Sequence, residues 1–365
     1  MAGGRSRLVA VVLVLLAAVA VPSMVGMRPA AAQSAIGRPF LDWVSAGATT
    51  LDGWYDADTG LYRTTGWWNS AHALEAELTA SVLRGDDRGI RRAATTYAVN
   101  QSSGFLNHYY DDEGWWALTW VRAFDITGDA RYLQTARSLF DDLTGGWDQT
   151  CGGGVWWSKD RGYKNAVTNE IFIALGAELA RHAEGADAAS YRAWALRGWD
   201  WFTGSGMING GRLVNDGLDA ACHNNGGTVW SYNQGVVLGA AAGLYRLTGN
   251  PEFLRVARGI ADAAIATLSG PDGILHESCE PSADRCGADG PQFKGIFIRN
   301  LAALRTVSPD LRYFGYIVNN AISIWTRSHG PGDEFGLVWS GPFHTGDAAR
   351  QSSALACLNA AAQLG

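Results

Sequence analysis

Apolar residues recur at three- and four-residue spacing along most of this chain, the period of a helix with one buried face. Leu175, Leu179 and Ala183 form one such run. The pattern predicts helices over 69–84, 87–101, 113–127, 130–143, 166–183, 188–203, 230–247, 251–268, 293–306, 310–327 and 348–363. Alternation of β-branched residues is scarce, so few strands are expected. One junction repeats. Phe124 to Arg137 parallels Tyr245 to Arg258. Each reads as a helix end, a Thr-Gly-Asp or Thr-Gly-Asn turn, and a new helix. Gly supplies the left-handed C-cap, and Asp or Asn caps the helix that follows. Leu83-Arg84-Gly85-Asp86-Asp87 is a looser third copy. The chain therefore reads as repeated αα-hairpins.

The other connections are long. They hold most of the Gly and many of the Trp, as in 147–157 and 204–227. About a dozen helices in hairpins, with aromatic loops gathered at one end, predict an all-α closed double ring. Its inner helices line a cleft and its loops form the mouth. An open solenoid is the competing arrangement, and long aromatic loops favour the closed ring.

The first residues stand apart from this pattern. Arg5 and Arg7 precede an apolar run from Leu8 to about Val21, Pro22 breaks it, and Ala30-Ala31-Ala32 precedes Gln33. This reads as a secretory signal peptide over 1–32. An uncleaved anchor is the alternative, although the run is marginal in length for a membrane span. No later segment approaches one. No Pro-rich linker or charge block divides residues 33–365, which are expected to form a single domain.

Export permits disulfides. Cys279 and Cys286 bracket a short polar loop, and Cys151 and Cys222 lie in Gly-rich loops, so both pairs are candidates. Cys357 sits in an apolar helical stretch and reads as a buried free thiol. No CxxC pair exists and the seven His are scattered, so no metal is expected. The chain carries 29 basic and 35 acidic side chains, and cleavage after residue 32 removes Arg5, Arg7 and Arg28 and no acid. That leaves 26 against 35, a net charge of −9. A nucleic-acid partner calls for a basic surface and is not expected. A neutral polymer is compatible with this charge.

The segment Tyr109-Tyr110-Asp111-Asp112-Glu113-Gly114-Trp115-Trp116 carries the chemistry. Acids beside one another repel, and folding alone gives little reason to set them among tryptophans. A helix N-terminus favours acids. Glycosidic bond cleavage gives a second reason, since it needs one protonated and one ionised carboxyl and flat rings to hold pyranose faces. Asp111 and Asp112 fall where a loop enters helix 113–127, so their side chains can splay and flank a bond. A retaining reaction wants about 5 Å between the two groups and an inverting one about 6.5–9.5 Å. Repulsion and nearby apolar rings should split the two pKa values, although spacing does not say which residue is the acid.

Adjacent Trp pairs at 67–68, 115–116 and 156–157 diverge by about 100° on a helix, so one ring of each is expected at the cleft. Further polar groups stand at the predicted mouth, in Lys164-Asn165, Asn169-Glu170, Asn215-Asp216-Gly217, Trp230 to Gly235, and Phe293 to Arg299. The candidate sugar-binding residues are Trp68, Asn69, Tyr110, Trp115, Trp157, Asn169, Asp216, Tyr232, Lys294 and Phe297.

Taken together, these segments resemble glycoside hydrolase family 76, the endo-α-1,6-mannanases. The likeness rests on Tyr109 to Trp116, Cys151 to Trp157, Lys164 to Glu170, Trp230 to Gly235, and Phe293 to Phe297. It extends from about Gly66 to the end of the chain. The resemblance implies an (α/α)6 barrel, no cofactor and a retaining double displacement. It implies Asp111 as nucleophile, Asp112 as general acid/base, and Asp216 as a ligand of the reacting sugar. The expected activity is endo-cleavage of α-1,6-linked mannan by a secreted or envelope-associated monomer. The polymer would be a polysaccharide or the mannan of an envelope glycolipid. A transglycosidase on the same fold uses the same carboxylates. A non-catalytic glycan-binding protein has no need of adjacent acids.

Overall fold

The computed structural model describes residues 37–280 and 286–364. Twelve α-helices account for most of these residues. They are α1 (Gly37–Asp52), α2 (Trp67–Arg84), α3 (Arg88–Asn100), α4 (Tyr110–Thr127), α5 (Ala130–Gly145), α6 (Ala166–Arg181), α7 (Gly185–Gly204), α8 (Ser231–Thr248), α9 (Glu252–Leu268), α10 (Gly290–Val307), α11 (Leu311–Arg327) and α12 (Ala348–Leu364). Two short strands, β1 (Tyr55–Asp56) and β2 (Leu61–Tyr62), pair antiparallel with Tyr55 opposite Tyr62.

The even-numbered helices touch in sequence, α2 to α4, α6, α8, α10 and α12, and α12 closes on α2. Each odd-numbered helix packs outside its neighbours. The fold is an (α/α)6 barrel. The sequence separates the two rings. Outer helices are amphipathic, and α9 buries Phe253, Leu254, Ala257, Ile260, Ala261 and Ala264 along one stripe. Inner helices are buried on nearly every side. In α6 each residue from Ala166 to Ile173 is buried, and α12 is built largely of Ala and Ser. Close approach within the inner ring depends on glycine. A Cβ on Gly235 would lie 2.5 Å from the Cα of Phe297, and one on Gly295 would lie 2.5 Å from the carbonyl of Ser353.

The two ends of the barrel differ. Short turns join each inner helix to the outer helix that follows. Three of them carry the repeat read from the sequence, with Gly85, Gly128 and Gly249 in the left-handed region. Asp129 and Asn250 accept from the backbone N–H groups of Arg131 and Glu252. Long loops return at the opposite end and deliver all six inner helices by their N-termini. The positive ends of six helix dipoles therefore gather under the loops.

Helix α1 lies outside the predicted set. Its buried residues, Phe40, Val44, Ala48 and Leu51, keep helical spacing. Gly37, Pro39, Gly47 and two adjacent Thr lower its propensity and mask the signal. Helices α4 and α10 begin three residues before their predicted starts, so Asp111 and Asp112 sit within the first turn of α4. Disulfides join Cys151 to Cys222 and Cys279 to Cys286, and Cys357 is buried and reduced. The signal-peptide segment 1–32 lies outside the described residues. Among the described residues no helix is long and apolar enough to cross a membrane.

Candidate active site

A cleft of about 460 Å³ opens at the loop end of the barrel. The first turn of α4 forms its floor, and Asp111 and Asp112 are half-buried there. The two carboxylates have different surroundings. Asp111 accepts two N–H donors, the indole Nε1 of Trp157 on Oδ2 at 3.0 Å and the backbone N–H of Asp112 on Oδ1 at 3.1 Å. Asp112 accepts from the side-chain amide of Asn107 on Oδ2 at 2.8 Å, and its Oδ1 makes no hydrogen bond among the described residues. Burial and then the charge of Asp112 hold the Asp111 carboxyl well above the usual range. Burial, with the charge of Asp289, pushes Asp112 up to about 7. Two acids this close titrate as a pair, and the pair retains a proton near neutral pH.

The third acid of the motif turns away. Glu113 is fully buried and accepts from the backbone N–H of Asn107 and from Lys159, each at 2.8 Å. Lys159 also pairs with Asp142 at 3.0 Å. Glu113 thus clamps both the Asn107 turn and the α5–α6 loop onto α4.

A second carboxylate group belongs to Asp216 in the α7–α8 loop. The hydroxyl of Tyr163 donates to its Oδ2 at 2.7 Å, and Asn225 donates to that hydroxyl at 3.0 Å. Burial raises the Asp216 carboxyl, while Tyr163 and Asn233 pull the other way. The loop is zipped to the start of α6 by Ala166 N–H to Asp216 C=O at 2.8 Å. Gly217 is required there, since a Cβ would come 2.4 Å from the Tyr163 hydroxyl.

Each tryptophan pair gives one ring to the cleft. Trp68, Trp115 and Trp157 line it. Trp67 packs on Phe105 and Trp116, Trp116 is buried, and Trp156 lies against the Lys164 ammonium at 4.7 Å. On one wall Trp68 stacks near Trp115 and Phe293, and Tyr232 lies 4.0 Å from Phe293. On the other, Tyr109 lies 4.8 Å from Trp157.

Of the candidates read from the sequence, the cleft brings together Asp111, Asp112, Trp68, Trp115, Trp157, Asp216 and Tyr232. Five others lie outside its lining. Asn169 exchanges two hydrogen bonds with the backbone of Val155 and so braces the Gly-rich loop. Lys294 donates to the carbonyl of Leu337, pairs with Glu280, and lies over Trp339. Phe297 is buried under Gly235. The Tyr110 ring packs against Gly146, and Asn69 is buried beside Gly66. Four of them stand within the first five residues of an inner helix and Phe297 stands eighth in α10, where one face meets the cleft and the rest meet neighbouring helices. Residue type does not reveal which face a side chain occupies.

Sequence reasoning missed Tyr163, Asp289 and the outward-facing roles of Tyr109, Asn165 and Phe293. Four of these five stood in or beside motifs already singled out. Asp289 carried no signal beyond its place next to the disulfide loop. The lining contains four carboxyls and neither Lys nor Arg. Among the described residues no cluster of His, Cys, Asp and Glu is arranged to hold a metal.

A closed double ring of helices, with two consecutive aspartates on the floor of an aromatic cleft, defines the class of protein to which this chain must be compared. The chain matches the profile of glycosyl hydrolase family 76 over residues 32–364 and belongs to that family. The mannan endo-1,6-alpha-mannosidase DCW1 of Saccharomyces cerevisiae is 26% identical to it over 325 residues, covering 82% of this chain and 67% of the yeast protein. Its namesake in Candida albicans is 32% identical over 231 residues, covering 58% of this chain and 50% of the relative. The chain thus spans about half to two thirds of these relatives. An inactive variant of the alpha-1,6-mannanase of Salegentibacter sp. HEL1_6, in complex with alpha-1,6-mannotetrose, superposes with a TM-score of 0.79 at 21% identity, covering 89% of this chain and 99% of that one. The Lin0763 protein of Listeria innocua gives 0.78 at 25% identity, covering 89% and 97%.

Proposed function

We propose that this protein is a retaining endo-α-1,6-mannosidase, exported through a signal peptide at residues 1–32. The observation that carries the reading is the unequal treatment of two consecutive carboxyls. Asp111 receives two N–H donors, which favour its anion. Asp112 has one donor and a free oxygen. Asp111 is the nucleophile and Asp112 the proton carrier.

In the first step Asp112 gives its proton to the leaving glycosidic oxygen as an Asp111 oxygen bonds the anomeric carbon and the C–O bond breaks. In the second, the Asp112 carboxylate takes a proton from water while the water oxygen displaces Asp111. Asp216, steadied by Tyr163, accepts from hydroxyls of the reacting sugar. The aromatic walls carry pyranose faces on either side of the acid pair, so a polymer can lie across the cleft and be cut internally. Four carboxyls without a cation disfavour an anionic polymer and suit a neutral one. The names of the yeast relatives and the oligosaccharide in the Salegentibacter complex support α-1,6-linked mannose. The substrate is then a mannan polysaccharide or the mannan of an envelope glycolipid. Two disulfides are in keeping with export.

Incubation with linear α-1,6-mannan, followed by proton NMR and mass analysis, tests this. Early internal cuts and first-formed α-configured reducing ends are expected. First release of the β-anomer, or mannose alone from one end, would overturn the mechanism or the endo mode. No product at all would overturn the activity.

A further inference from the structure

We infer that Asp289 grips the sugar on the leaving and acceptor side of the cleft, and so determines how well oligosaccharides and acceptors are used. The inference rests on the glycosidase reading above. Consecutive side chains on α4 diverge by about 100°. Asp111 is turned to Trp157, in the same loop as Tyr163, which holds Asp216. Asp112 is turned to Asn107 on the other side. The reacting sugar belongs with Asp111 and Asp216, and the departing sugar belongs with the acid.

Asp289 stands at the start of α10 and lines the same cleft. Its Oδ1 accepts from the indole of Trp68 at 2.9 Å. Its Oδ2 has no hydrogen-bond partner among the described residues, and the residue is exposed. Its negative charge acts on Asp112, which agrees with a place on the acid's side. The indole it holds is stacked near both Trp115 and Phe293. An aromatic plane with a carboxylate oxygen at its edge matches a pyranose, which offers an apolar face and equatorial hydroxyl donors. The start of α10 is firmly backed. A Cβ on Gly290 would meet Cys286 Cβ at 2.9 Å and Cys279 Sγ at 3.1 Å, so the disulfide packs directly behind Asp289.

In a double displacement only the sugar beside the acid departs, and only there can an incoming sugar hydroxyl replace water. Asp289 therefore acts on oligosaccharide cleavage and on transfer, and much less on a substrate whose leaving group is not a sugar. The experiment compares Asp289→Ala and Asp289→Asn with the wild type on two substrates, α-1,6-mannotetraose and 4-nitrophenyl α-1,6-mannotrioside. Melting and circular dichroism check folding. Measured well below pH 7, so that loss of the Asp289 charge leaves Asp112 protonated, kcat/KM of the Ala variant should fall about tenfold more on the tetrasaccharide than on the aryl glycoside, as expected for losing a hydrogen bond to a charged group. The ratio of transfer to hydrolysis with added α-1,6-mannobiose should fall in parallel. The Asn variant keeps the acceptor for Trp68 and should show the same split at smaller size. Equal losses on both substrates, or an Asn variant like wild type beside an Ala variant impaired equally on both, would reduce Asp289 to a support for Trp68 and overturn the inference. If the wild type cleaves neither substrate, the glycosidase reading itself falls.

Discussion

Trp157 donates its indole N–H to Asp111 at 3.0 Å across 46 positions of sequence, from a loop tip to the floor of the cleft. The bond makes a rim tryptophan part of the electrostatics of the acid pair. Trp157→Phe keeps the ring and removes the donor. Its kcat on mannan should fall about 10- to 100-fold, the effect of losing a hydrogen bond to a charged group. The melting temperature should hardly change, because the side chain is 37% exposed. Steady-state kinetics beside a melting curve separates the two effects, and unchanged kcat would remove Trp157 from the mechanism.

The pH profile should reflect a proton-sharing pair. In the proposed mechanism, cleavage needs Asp112 protonated and Asp111 ionised. Since burial and the Asp289 charge push Asp112 up to about 7, kcat/KM should fall as pH rises through about 7. The acid limb should lie above the ordinary Asp range, because Asp111 is raised as well. Asp112→Asn should abolish the alkaline limb and cost about 10²–10⁴-fold in rate on unactivated mannan. A profile centred near pH 4 would contradict the burial of the pair.

Glu77 offers a stability test remote from the cleft. It is fully buried in α2, with Arg84 at 4.0 Å, and burial raises its carboxyl to about 8. The folded state therefore holds a proton that the unfolded chain releases near the ordinary Glu value. Its contribution is fully present below that value and is lost as pH rises toward 8. Glu77→Gln, permanently neutral, should flatten the decline in melting temperature between pH 5 and pH 8.5. Parallel declines in both proteins would place the charged form of Glu77 in the native state.

The Cys151–Cys222 bridge joins the loop that carries Trp157 to the loop that carries Asp216. Its partners are 71 residues apart. Closing a loop of this length restricts the unfolded chain by about 4 kcal/mol. The double Ser variant should melt at a markedly lower temperature and lose kcat as the two walls drift. The Cys279–Cys286 bridge closes a loop with a separation of only 7, so Cys279→Ser with Cys286→Ser should cost less stability. Differential scanning calorimetry ranks the two. The reverse order would show that native packing around the shorter bridge outweighs loop closure.

Much of the barrel was legible because its physics is periodic. Repeated Gly–Asp/Asn turns and apolar spacing locate eleven helices to within a few residues. Helix α1 escaped because glycines, a proline and threonines dilute its stripe. The acid pair was legible through its setting: acids suit a helix's first turn by themselves, and the aromatic pairs on either side point to sugar chemistry. The rest of the cleft was not. Asn169 and Lys294 look like ligands in sequence, yet they tie loops to the barrel through Val155 and Leu337. Asp289 looks like an ordinary helix N-terminal acid, yet it faces the cleft. Which way a side chain points at an inner-helix start depends on the neighbouring helices, and these are distant in sequence.

The two ends of the barrel are built under different structural constraints. At one end, turns of a few residues cap helices and tolerate little change. At the other, the cleft walls come from separate loops, two of them joined by the Cys151–Cys222 bridge. Trp157 and Tyr163 arrive on one loop, Asp216 on the next, and Asp289 on a third. The Asp289 loop stands outside that bridge and makes no hydrogen bond to the acid pair among the described residues, so it can change in length while α4 keeps Asp111 and Asp112 in place. In the proposed function, preference for branched or linear chains could then shift through that loop while the chemistry stays fixed. Grafting the Asp216 loop, by contrast, has to bring the Trp157 loop with it, because the Cys151–Cys222 bridge joins the two.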